Sequence, residues 1–187
     1  AGSLNSENSG DLHLQWLDFG GAGQITAEND GDLVIHDVDF GAGSSTIDAS
    51  GLGGMMDVTL DNATDAGVDV AVTGSEQDDL LDVTEGMDEG DTFDGGDGDS
   101  DEILINASDF NVGNNAITNT EVANLVTGTL GVFDAAQFDD ALGVIKVNTG
   151  TEAFIDFRNL RINGGDTIIV DNDAADLDGK TVSFDVD

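Results

Sequence analysis

Hydrophobic and polar residues alternate along most of this chain in short runs, separated by turns rich in glycine, asparagine and aspartate. Residues 68–73 (VDVAVT) alternate with period two, which puts apolar side chains on one face of a strand and polar ones on the other. Residues 12–19 (LHLQWLDF), 33–40 (LVIHDVDF), 55–60 (MMDVTL) and 103–105 (ILI) read as strands on the same ground. Shorter extended runs lie at 24–27 and 45–49, and four more at 144–147, 153–160, 167–170 and 181–186. Two segments, 119–126 and 133–142, have spacing that also fits a helical turn; in the second, Phe133, Ala136 and Phe138 could share a face. The pattern predicts ten or eleven short strands and little helix.

Strands arriving every 8–15 residues, with glycine between them, suit a sandwich, a barrel or a solenoid. One internal echo favours the solenoid. Gly-Asp opens a strand at Gly10-Asp11, Gly31-Asp32, Gly90-Asp91 and Gly165-Asp166. In a solenoid such positions stack along the axis, because each coil repeats the last. The expected fold is therefore all-β, a parallel β-solenoid with Gly/Asp turns, with a β-sandwich as the alternative. Residues 1–10 (AGSLNSENSG) are small and polar and read as a flexible arm. Residues 11–187 read as one domain.

Charge narrows the list of partners. Forty acidic residues face four basic ones, for a net charge of -36. The first 145 residues hold no Lys or Arg; Lys146, Arg158, Arg161 and Lys180 all follow. Self-repulsion on this scale opposes a compact state, so divalent cations or high salt are needed to offset it. Phosphate recognition needs Lys and Arg, which argues against nucleic acid and against an anionic membrane surface. No apolar run has the length of a membrane span. The chain has no Cys, so a disulfide or zinc-thiolate centre is excluded. The opening Ala1-Gly2-Ser3 fits a mature form cut after a small-residue site.

The densest chemistry lies in residues 74–105, GSEQDDLLDVTEGMDEGDTFDGGDGDSDEILI. The nonapeptide G-G-x-G-x-D-x-U-x holds calcium in parallel β-rolls: the glycines allow a tight turn, the Asp supplies oxygen, and the apolar eighth residue points inward. Gly74, Asp79 and Leu81 fit positions one, six and eight, and Gly86, Asp91 and Phe93 repeat the fit. A third glycine frame, Gly95-Gly96-Asp97-Gly98, has Ser100 at its sixth position, with Asp101 and Ile103 each one residue late. An EF-hand reading of Asp97-Gly98-Asp99-Ser100-Asp101 fails, because position six is Glu102, position twelve is Ser108, and no helices flank it.

This stretch resembles the repeats-in-toxin (RTX) calcium-binding β-rolls. More loosely, IDASGL, MDVTL, GSEQDDLLD, GDTFDGGDGDSDEILI and FDAAQF resemble bacterial surface-layer and adhesin-like β-strand-repeat proteins. The resemblance implies a secreted, non-catalytic protein, stabilised by several Ca2+ ions, that assembles with itself into a filament, surface layer or matrix and meets cell-surface polysaccharide. Candidate metal ligands are Asp78, Asp79, Asp82, Asp88, Asp91, Asp94, Asp97, Asp99 and Asp101, with Asp32 and Asp166 from the recurring Gly-Asp turns. Two further readings use the same residues differently: a calcium-dependent adhesin or glycan-binding module, and a salt-adapted pilin or coat subunit with no specific ion.

Catalytic signals are weak. His13 and His36 are the only histidines, and each sits on a strand among apolar neighbours, as an outward or satisfied histidine would. Forty acids supply a carboxylate pair anywhere, so a glycosidase pair has no meaning here. No G-x-S-x-G elbow or P-loop occurs. Trp16 and the nine Phe read as core or contact residues.

Overall fold

The structure is a computed structural model describing residues 2–7, 10–61, 67–106, 108, 110–126, 130–148, 154–160, 167–171 and 182–184. It is an all-β parallel solenoid. One sheet stacks β1 (Gly2–Ser6), β4 (Gly23–Ala27), β6 (Gly43–Asp48), β8 (Val68–Thr73), β10 (Thr92–Asp94) and β12 (Ile117–Thr118). The second stacks β2 (Leu12–Leu14) and β3 (Leu17–Asp18) on β5 (Leu33–Asp39), then β7 (Met56–Leu60), β9 (Leu80–Val83), β11 (Glu102–Ile105), β13 (Val122–Leu125), β15 (Val144–Asn148) and β17 (Thr167–Asp171). A third sheet, β14 (Leu130–Asp134), β16 (Phe154–Arg158) and β18 (Val182–Phe184), joins in the later coils.

One coil takes 20 to 27 residues, as the pairs Glu102↔Val122, Leu12↔Leu33, Gly43↔Val68 and Ile155↔Val182 set it. That spacing explains the Gly-Asp echo. Gly10-Asp11-Leu12 and Gly31-Asp32-Leu33 are consecutive coils in direct register. Gly31 must lack a side chain, since a Cβ there would stand 2.6 Å from the Asp11 amide nitrogen. Gly90-Asp91 leads into the first sheet, so it belongs to the opposite edge. Gly165-Asp166 lies outside the described residues.

The core runs along the axis between the sheets. Period two turns Ile25, Ile47, Val72, Phe93 and Ile117 inward from the first sheet, and Ile35, Val58, Leu81, Ile103, Ala123 and Ile145 inward from the second; all are buried. A side chain of one coil thus rests on its counterpart in the next. In the later coils the filling becomes aromatic. Phe133 stands 5.5 Å from Phe138 and 5.8 Å from Phe157, and Phe138 stands 6.1 Å from Phe110, measured between ring centroids. These four rings pack together where the third sheet begins.

Three expectations need correcting, and the two segments left open between helical turn, loop and strand are resolved. Residues 2–6, read as part of a flexible arm, form β1, paired in register with β4; Leu4 packs on the core. Residues 12–19 break into β2 and β3 around Gln15 and Trp16, and Trp16 is 61% exposed. The 119–126 segment is a strand, because Ala123 and Leu125 alternate inward against Asn124, and Asn119 at φ 49° bars a helix start. In 133–142 a single 3-10 turn, Ala135–Gln137, follows β14, capped where the Ala136 amide donates to Asp134. Strands number eighteen among the described residues. Several have only two or three residues, too few to show a period.

Candidate cation-binding edge

Each coil must turn before it enters a sheet, and the first amide of the new strand lies outside the strand ladder. On the edge leading into the second sheet, side-chain carboxylates take over this role. Leu33 and Met56 are paired, buried neighbours on one inward row. The next two coils place Asp79 and Asp101 on that row. The Met56 amide donates to Asp79 Oδ1 at 2.6 Å, the Asp79 amide to Asp101 Oδ1 at 2.7 Å, and the Asp101 amide to Glu121 Oε2 at 2.9 Å. The Asp-x-apolar spacing makes this possible: two residues on, Leu81 and Ile103 point the same way into the core.

The one-residue slip in the third glycine frame is therefore a longer turn. The Gly74 amide donates to the Asp94 carbonyl and the Gly95 amide to that of Thr118, so the two glycines start equivalent turns. The second turn spends one more residue, with Gly96 at φ 101°, before Asp101 regains the inward row. A Cβ on Gly98 would stand 2.5 Å from Asp101 Oδ1, 2.7 Å from Oδ2 and 2.7 Å from the Gln77 carbonyl oxygen. Only glycine lets the carboxyl tuck beneath the turn.

The carboxylates differ in how they are satisfied. Asp79 Oδ1 also accepts from the Ser75 hydroxyl at 2.9 Å, and Oδ2 accepts from the Ser75 amide. Asp91, on the opposite edge, accepts from the Val70 amide at 2.7 Å and the Asp88 amide at 2.9 Å. Asp101 Oδ2 has no partner, although the residue is fully buried. Burial lifts all three carboxyls above the ordinary range. For Asp101 it does so to about 7, opposed by the Asp79 amide and reinforced by the charges of Asp79, Glu121 and Asp78. For Asp91 burial reaches about 6, opposed by the Asp88 and Val70 amides and reinforced by the charges of Asp88 and Asp69. Asp79 is raised by burial, against the amides of Met56 and Ser75 and the Ser75 hydroxyl.

Outside this row the turns form an open groove of about 480 Å³, lined by Asp32, Gly53, Gly54, Met55, Glu76, Gln77, Asp78, Asp97, Gly98 and Asp99. Four successive coils line it, and three of them supply five carboxylates, with no basic side chain. Asp78 ties two coils together by accepting from the Asp99 amide at 3.1 Å, and Asp32 by accepting from the Met55 amide at 3.0 Å.

Of the sequence-derived candidates, the fold brings Asp32, Asp78, Asp97 and Asp99 to this groove, with Asp79 and Asp101 on the buried row behind it. Asp88 and Asp91 sit on the other edge. Asp82 lies on β9, accepting from the Thr84 amide. Asp94 closes β10 and accepts from the Gly96 amide and the Asn119 side chain. Asp166 lies outside the described residues. Three contributors escaped the sequence reading: Glu76, Glu121 and the Gln77 carbonyl. Stepping one coil from Asp101 reaches Glu121, so the coil length was the missing signal. Both His13 and His36 face outward.

Among the described residues, no three acidic or histidine side chains already stand in position to hold a metal. The donors nonetheless suit a hard cation. They are all oxygen, they combine carboxylates with a backbone carbonyl, and one buried carboxylate oxygen lacks any partner. No family model, curated protein or solved structure matches this chain. Its class rests on the fold: a parallel β-solenoid with an acidic turn edge.

Proposed function

We propose that this chain is a non-catalytic structural solenoid of an extracellular assembly, and that calcium stabilises it by bridging the turns of neighbouring coils. The observation that carries the reading is the unpartnered Asp101 Oδ2, buried behind Gly98, which itself lines a groove with five carboxylates. Asp97, Asp99 and Asp78 would hold the ion with Asp101 and the Gln77 carbonyl. The ion supplies positive charge where the fold otherwise crowds carboxylates. Without it these groups repel across the coil boundary; with it, binding free energy adds to folding free energy. Sites of this kind fill outside cells, where modules binding calcium at about 10⁻⁴–10⁻³ M serve.

The proposed assembly uses the coil of β1, β2 and β3. Among the described residues β1 is the last strand of one sheet and β2 with β3 the last of the other, and Leu4, Leu12, Leu14, Leu17 and Phe19 are only partly buried there. A single peptide can pair with one edge; a second copy's end coil can pair with both, so a second copy is the proposed occupant.

The test is a calcium titration of chelated protein at fixed ionic strength, with melting followed by circular dichroism. The reading expects a saturable rise in melting temperature. Equal stabilisation by monovalent salt alone would leave salt adaptation as the explanation and sink the calcium bridge.

A further inference from the structure

We infer that Asp79 and Asp91, the two aspartates that best match a calcium-roll repeat by spacing, serve as backbone caps that register one coil on the next and are not cation ligands. Each of their oxygens already accepts a hydrogen bond. Asp91 takes the amide of Val70 from the preceding coil on one oxygen and that of Asp88 from its own turn on the other. Asp79 takes the amide of Met56 from the preceding coil on Oδ1, with the amide and hydroxyl of Ser75 on its two oxygens. An ion competing for these oxygens would strip buried amides of their acceptors, which costs more than an exposed ligand would.

A third residue shows that the role needs an acceptor and not a charge. Ser45 pairs in register with Val70, so it occupies the row of Asp91 two coils earlier. It is buried, and its hydroxyl takes the Gly23 amide at 3.0 Å, again one coil back. Serine, with one weak oxygen, is no calcium ligand of choice, yet it meets the same demand. The shared geometry is a side-chain acceptor at the first inward position, reaching back to an amide that the ladder has not yet taken up. Asp101 uses only one oxygen this way, which separates it from the other two.

The inference goes beyond the calcium reading and stands without it. The test uses the full chain with Asp91→Ala and Asp91→Ser, in chelator and in calcium. Alanine leaves both buried amides without an acceptor, so Asp91→Ala should melt about 5 °C below the wild type in chelator. Its Val70 amide should exchange faster with solvent. Asp91→Ser should recover part of the loss, following the precedent of Ser45. Both variants should keep the full calcium-induced rise of the wild type. The proposal is overturned if the variants melt with the wild type in chelator, or if the calcium-induced rise disappears in Asp91→Ser. Should the wild type itself show no calcium response, the bridge proposal fails alone, and melting in chelator with Val70 exchange still decides this one.

Discussion

Replacing Asp101 with asparagine should stabilise the calcium-free protein at neutral pH, which is an unusual result for a fully buried residue. Burial moves the Asp101 carboxyl from 3.8 to about 7. A carboxyl with a raised folded-state pKa favours folding while it stays protonated and opposes it once ionised. Its contribution is therefore intact below the unfolded value near 3.8 and is lost as pH rises to about 7. The full shift corresponds to on the order of 4 kcal/mol above pH 7, a ceiling that local relaxation lowers. The asparagine side chain would keep an oxygen for the Asp79 amide and carry no charge. In urea titrations with chelator, followed by far-ultraviolet circular dichroism, the variant and wild type should be equally stable at pH 4. By pH 8 the variant should lead by a few kcal/mol. In calcium the order should reverse, since the variant lacks the oxygen the ion would take. A variant less stable than the wild type at pH 8 in chelator, or one with an unchanged pH slope, would refute the reasoning.

Other substitutions probe separate parts of the account. Gly98→Ala should destabilise by about 1–3 kcal/mol in urea titrations, because its methyl meets Asp101 and the Gln77 carbonyl. Phe133→Ala should cost about 3–5 kcal/mol by the same assay, since the ring is fully buried and contacts Phe138 and Phe157. Lys146→Ala removes an ion pair with Glu102 in which both side chains are partly exposed, so thermal melts should register less than about 1 kcal/mol. Leu14→Asp puts a charge on the coil of β1, β2 and β3; in sedimentation velocity it should leave a monomer under conditions where the wild type associates.

The solenoid was legible because its cause is local. Period-two alternation and glycine turns are properties of single coils, and the recurring Gly-Asp pair at 10 and 31 marks one coil stacked on the next. The coil length was not legible, because turns of unequal length absorb the variation, as the extra residue before Asp101 does. That single residue made Asp101 look out of place, although within 74–105 it is the aspartate with a buried oxygen that lacks a partner. Spacing identified Asp79 and Asp91 as inward-facing, which they are. It could not tell a carboxylate satisfied by amides from one awaiting a cation, since the amides come from Met56 and Val70 a full coil away. β1 was hidden for a related reason: Gly-Ser-Leu-Asn-Ser carries one apolar residue and gains its strand geometry from β4.

The most direct measurement of the calcium bridge is an anomalous difference map from crystals grown in calcium, with data collected where calcium scatters anomalously. The account predicts a peak in the groove between the 76–78 and 97–99 turns, with Asp101 Oδ2 and carboxylates of both turns as ligands. It also predicts no peak at Asp79 or Asp91. A groove without a peak, or a peak held by Asp91, would contradict it.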